Sequence, residues 1–339
     1  MKEQGKIVFT DILIMRPILI LSIIIGHAFT IYTGSRYWPL PVGCSEVQSL
    51  TWVNPTLISF ALQAFVFISG YLYAYKKSKS SRINAKDFIV SKLKRIYLPS
   101  IIFSIIYILI FSPQDFAEPT VIYEIFNGAG HLWFLPMLFW CYVFGYILSY
   151  RYAKISIEII VILIALSFAS FLIPDFIRIS MAAHYFIYFV VGYWAFQNKC
   201  NLLEYFNKKK YLVILSWCAI GILCLIKVWL LKSFLNIPYV AIFKVAINIL
   251  LGLLGSLTLF VSINFTLYIK DRKPNIRADV WYGLYIYHQF IMMYLYYHTK
   301  ASIFLGNYTP YVVLIVTVLA SYGLVLISLR TKIGRFLIG

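Results

Sequence analysis

The sequence predicts an all-α, polytopic membrane protein of about ten transmembrane helices, with both termini cytoplasmic. Three observations lead there. Of 339 residues, 62% are hydrophobic and only 12% charged, against roughly 45–50% and 25% in a soluble domain. The apolar residues fall in recurring blocks long enough to cross a bilayer. The basic residues gather in alternate connections between those blocks. A soluble chain of this length would need far more polar surface to cover its core.

A spanning helix needs about 20 mostly apolar residues. The first block, 9–33, is too long for a secretory h-region and lacks a small-residue cleavage site after it, so it is expected to remain as a helix. An outer loop, 34–52, follows and carries Trp38, Glu46 and Trp52. The second block, 53–75, ends at a connection from Lys76 to Arg95 whose only acid is Asp87. The third, 96–112, leads to a loop with Asp115, Glu118 and Glu124. Then come 131–150, 155–173, the short 182–197, 211–231, the long 240–264, 281–298 and 309–329. With no internal repeat, low-complexity tract or soluble portion, residues 1–339 read as one membrane domain.

Orientation follows from lysine and arginine. The N-terminus, the even-numbered connections and the C-terminus hold 23 of the 30. The odd-numbered connections hold only Arg36, Arg178, Lys232 and Lys300, while Arg16, Lys227 and Lys244 fall within spans. By the positive-inside rule both termini are cytoplasmic. That placement also explains the net charge of +18 better than an electrostatic footprint for nucleic acid, which is not expected as a partner. Cys141, Cys218 and Cys224 lie inside apolar blocks and no CxxC spacing occurs, so no disulfide framework is expected. The scattered histidines lack paired ligand spacing, and no metal site is expected.

Arg16 and His27 are the most informative residues. An intramembrane arginine is costly and calls for a functional explanation by default. Eleven residues separate the pair, about three helical turns with roughly 20° left over, so both point from one face about 16 Å apart. Arg16 falls in the cytoplasmic half of the span and His27 in the outer half. Guanidinium suits phosphate or carboxylate recognition. Imidazole suits general-base work, or brief covalent attachment of an acyl group. The competing structural reading has Arg16 snorkelling to the interface and His27 bonding a neighbouring helix.

The stretch Arg16-Pro-Ile-Leu-Ile-Leu-Ser-Ile-Ile-Ile-Gly-His27 resembles the Arg-x10-His signature of the integral membrane acyltransferases called acyltransferase-3. Four further stretches resemble that family in the same order: Phe65-Val-Phe-Ile-Ser-Gly70, Lys92-Leu-Lys-Arg95 with Pro99, His131-Leu-Trp-Phe134, and Tyr282-Gly-Leu-Tyr-Ile-Tyr-His288. The chain departs from the family in having Pro17 after the arginine, Asp11 five residues before it, and Trp281 at the start of the last stretch.

The resemblance implies transfer of an acyl group, most often acetyl, from cytoplasmic acyl-CoA to a hydroxyl of an extracytoplasmic or lipid-linked saccharide. Acyl-CoA (acetyl-CoA by default) is then a co-substrate, and no permanently bound cofactor is expected. His27 and Arg16 are the catalytic candidates. Arg16, Lys92, Lys94 and Arg95 are candidates for the donor's phosphates. His288, placed on Arg16's side about two turns into the ninth span, is expected to shape the donor site. His131, Trp133, Trp38 and Trp52 are acceptor-side candidates. His184 and His298 read as structural, and Glu158, Lys227 and Lys244 as snorkelling near span ends. The small size and the lack of a eukaryotic targeting signal suggest a bacterial cytoplasmic membrane, with lipids as further partners. The sequence leaves the oligomeric state, the acceptor and the acyl chain length open. A transporter or flippase for lipid-linked saccharides is the main alternative, and a silent sensor or scaffold the third.

Overall fold

A bilayer offers no water to the backbone, so a run of apolar residues must close its hydrogen bonds within itself. The computed structural model describes residues 2–33, 39–79, 84–152, 154–233, 238–269 and 278–338, and among them there are helices but no strand. The protein is an all-α, multi-pass membrane protein. In chain order the α-helices are α1 (Lys2–Ala28), α2 (Val53–Lys79), α3 (Ala85–Lys92), α4 (Leu98–Phe111), α5 (Thr120–Asn127), α6 (Phe134–Arg151), α7 (Ile157–Ala169), α8 (Ile179–Gln197) and α9 (Lys199–Lys208). They continue as α10 (Tyr211–Ser233), α11 (Pro238–Ile269), α12 (Ala278–Tyr297), α13 (Ala301–Leu305), α14 (Thr309–Ser328) and α15 (Lys332–Ile338).

Among the described residues, eight helical stretches are long and apolar enough to cross a membrane, against the ten expected. The fifth expected span is a shorter apolar helix, Ile157–Leu172. The ninth is α12, which is long enough but falls outside the eight. It buries Tyr285, His288, Gln289 and Tyr296, and a helix enclosed by protein does not need the uniform apolarity of a lipid-facing one.

The helices form two compact units, 1–62 with 209–339, and 63–208, so α2 begins in the first and ends in the second. In the first unit, α1 packs on α11, α12 and α14, and α12 packs on α14 and α15. Ile12, Met15, Leu19 and Ile23 of α1 are fully buried at helical spacing, while Ile18 and Leu21 are exposed. That stripe is what seats α1 among its neighbours. Ile220, Cys224 and Leu230 of α10 form a core with Ile247 and Leu251 of α11. Most of Tyr211–Leu230 is not buried, and its exposed Ile214, Leu215, Ile222, Leu225 and Trp229 form an outward, lipid-facing side. Lys227 does not snorkel from this helix. Its Nζ donates to Ser59 Oγ at 3.0 Å.

In the second unit α8 is the central element, packing on both α6 and α7. A Cβ built on Gly70 of α2 would collide with the Phe189 carbonyl of α8, and one on Gly192 of α8 with the Phe67 carbonyl of α2. The two glycines thus allow backbone-to-backbone approach, as small residues do at helix crossings in membranes. A π-helical turn, Leu93–Tyr97, joins α3 to α4. The segment before α6 is tied to α4, since Ala129 N donates to Ser104 Oγ at 2.9 Å and Ser100 Oγ donates to the Leu132 carbonyl at 3.3 Å.

Candidate active site

Arg16 and His27 lie on one unbroken helix, α1, which runs through Pro17. Proline cannot donate to the carbonyl four residues earlier, so α1 lacks one internal bond beside Arg16. Eleven helical residues keep the two side chains on one face, roughly 16 Å apart along the axis. Arg16 and His27 are both half-buried, whereas Asp11, one turn further back, is fully buried with Oδ1 accepting from Ile12 N at 2.8 Å.

His27 occupies the last turn of α1, and α12 brings His288 to it. His27 Nδ1 and His288 Nε2 are 3.0 Å apart, with the ring centroids 5.2 Å apart and the ring planes inclined by 16°. His288 is fully buried, and its Nδ1 lies 2.6 Å from the Tyr285 carbonyl one turn earlier. The sequence-based expectation put His288 at the depth of Arg16; it lies instead at the depth of His27. Helical periodicity fixes the face a residue occupies on its own helix, but not the register of that helix against another.

The end of α1 is held by residues that sequence reasoning passed over. Asn54 Nδ2 donates to the Gly26 carbonyl at 3.0 Å and to Thr30 Oγ1 at 2.6 Å. Thr30 Oγ1 donates to the same carbonyl at 3.0 Å. The Tyr296 hydroxyl of α12 donates to the Ala28 carbonyl at 2.5 Å. The last carbonyls of a helix lack intrahelical partners, so these side chains satisfy the groups flanking His27 and fix its backbone. The available signal was Asn54 itself, a polar amide at the opening of an apolar block.

The remaining candidates are distributed as follows. In the first unit Trp52 is exposed beside the start of α2. Trp38 lies outside the described residues. In the second unit Lys92 Nζ sits 3.6 Å from the centroid of the Tyr142 ring and 5.7 Å from that of Phe88, a cation–π arrangement. Lys94 and Arg95 are exposed on the π-helical turn. His131 is buried in the short turn leading into α6, and Trp133 beside it meets Phe134 and Tyr185 edge-on or tilted, about 6 Å between centroids. His184 bonds Ser167 of α7, with Nδ1 3.0 Å from Oγ, while His298 stacks on Tyr294.

An amide-anchored helix end carrying an imidazole, itself bonded to a second imidazole, is suited to proton transfer or nucleophilic attack. A family model described as an acyltransferase domain matches residues 9–329, which takes in α1 from residue 9 onward, all of α12 and both His27 and His288. No curated protein and no solved structure matches the chain. The match extends over nearly the whole length, and the chain belongs to the acyltransferase-3 family of integral membrane acyltransferases.

Proposed function

We propose that the protein transfers an acyl group, acetyl by default, from cytoplasmic acyl-CoA to a hydroxyl of an extracytoplasmic or lipid-linked saccharide, and that it does so in a bacterial cytoplasmic membrane. The observation that carries this reading is His27, a half-buried residue with one imidazole nitrogen engaged by His288, on the same face of α1 as Arg16.

In this reading Arg16 meets the phosphates of the donor through charge-assisted bonds. The thioester arm extends along α1 toward His27, a distance of roughly 16 Å. His27 takes the proton of the acceptor hydroxyl as its oxygen bonds to the acyl carbon. The C–S bond then breaks, and the thiolate takes the proton from the imidazolium. The same imidazole is also placed to receive the acyl group first and pass it on to the hydroxyl.

Mass spectrometry of surface glycans, from cells with the intact protein and cells with His27→Ala, tests the proposal. An acyl mass increment present only with the intact protein supports it. Glycan missing from the surface, rather than unacylated, would support export of a lipid-linked saccharide instead.

A further inference from the structure

The contact between the two histidines carries information about protons, because each ring nitrogen in it has a distinct neighbour. His288 Nδ1 faces the Tyr285 carbonyl at 2.6 Å. A carbonyl only accepts, so Nδ1 carries the hydrogen. His288 Nε2 faces His27 Nδ1 at 3.0 Å, and one proton must lie between those two nitrogens. If it sat on His288, that ring would be an imidazolium with no exposed surface, and an ion buried in that way is costly. The proton therefore sits on His27 Nδ1, and His288 Nε2 accepts it. A neutral imidazole has one N–H and one lone pair, so the lone pair of His27 is on Nε2.

We infer that His288 is a positioning residue, which holds His27 in the tautomer whose Nε2 is the basic and nucleophilic atom. This rests on the acyl-transfer reading above and adds to it the atom that works and the residue that selects it. Tyr285 supplies the backbone carbonyl that polarises the relay, so the order is Tyr285 carbonyl, His288, His27, acceptor hydroxyl. When Nε2 takes the hydroxyl proton, His27 becomes an imidazolium, and its Nδ1–H bond to His288 Nε2 becomes charge-assisted and stronger. His288 thus does for His27 what a carboxylate does in a Ser-His-Asp arrangement, without placing a second ion in the membrane. The two ring planes are inclined by only 16°, which suits an in-plane N–H···N bond between them.

Three variants separate this role from packing. Gln places an amide oxygen where His288 Nε2 stands and can accept from His27 Nδ1. Asn is polar but too short, and Leu fills space without accepting. In membranes supplied with acetyl-CoA, at matched protein levels, His288→Leu and His288→Asn should lower kcat about tenfold or more. KM for acetyl-CoA should stay within about twofold, and His288→Gln should restore most of kcat. Wild-type kcat in the Leu or Asn variants, or a Gln variant no faster than Asn, would overturn the inference. If the Leu variant fails to reach the membrane, the Gln and Asn pair decides alone. His27→Ala run alongside separates the two levels. Activity in that variant overturns acyl transfer through His27, whereas an inactive His27→Ala beside fully active His288 variants overturns only the positioning role.

Discussion

His27 Nδ1 and His288 Nε2 meet at 3.0 Å although 261 positions separate them in the chain. The contact seats two imidazoles against each other at the last turn of α1. It joins the two stretches that lie farthest apart among those resembling the acyltransferase family.

Asn54 sits directly behind that site. Asn54→Ala should remove the two hydrogen bonds to the Gly26 carbonyl and Thr30 Oγ1. At about 1 kcal/mol each, the loss should lower thermal stability and reduce transfer by displacing His27, with no change in KM for the donor. Retention of both stability and rate would show that the amide does not fix the end of α1. Thermal unfolding in detergent and initial rates in membranes measure the two effects.

The path from sequence to site was only partly legible. The recurring apolar blocks gave the helices, and the spacing of Arg16 and His27 gave their shared face, because both follow from periodicity within one helix. The register between α1 and α12 does not follow from either helix alone, so His288 was expected at the depth of Arg16, on the cytoplasmic side. Lys227 was misread for a related reason: whether a lysine snorkels depends on what stands next to it, and Ser59 comes from a distant part of the chain. The polar content of α12, with Tyr285, His288 and Gln289 buried, marks a helix enclosed by protein, a distinction that hydropathy alone does not make.

Arg16 should act on the donor rather than on the chemistry. Arg16→Lys keeps the charge but loses the planar, two-pronged geometry suited to phosphate. Loss of a hydrogen bond to a charged group costs roughly 1.5–3 kcal/mol, so KM for acetyl-CoA should rise about tenfold or more while kcat changes less. A variant with lowered kcat and unchanged KM would assign Arg16 to the chemical step instead. Saturation curves in membranes give both parameters.

Gly70 and Gly192 make a prediction about packing. Gly70→Ala puts a methyl group against the Phe189 carbonyl, and Gly192→Ala puts one against the Phe67 carbonyl. Overpacking of this kind costs about 1–3 kcal/mol, and because the obstacle is backbone the crossing must open. Both variants should lose monodispersity at lower temperature when heated in detergent. Unchanged melting would mean that α2 and α8 do not approach as closely as described.

Orientation is open to a labelling test at Cys200, which is exposed on α9. The positive-inside rule predicts that this connection faces the cytoplasm. In a variant retaining only Cys200, a membrane-impermeant maleimide should label inverted vesicles and leave intact spheroplasts unlabelled. Labelling of spheroplasts would reverse the topology, and with it the side from which the donor enters.

The most direct test of the central claim is transfer of label from radiolabelled acetyl-CoA to the saccharide fraction by inverted membrane vesicles, comparing the intact protein with His27→Ala at equal abundance. General-base catalysis contributes about a hundredfold to ten-thousandfold, so the variant should fall to background while its protein level and melting in detergent stay the same. Transfer by His27→Ala at the intact protein's rate would contradict the account.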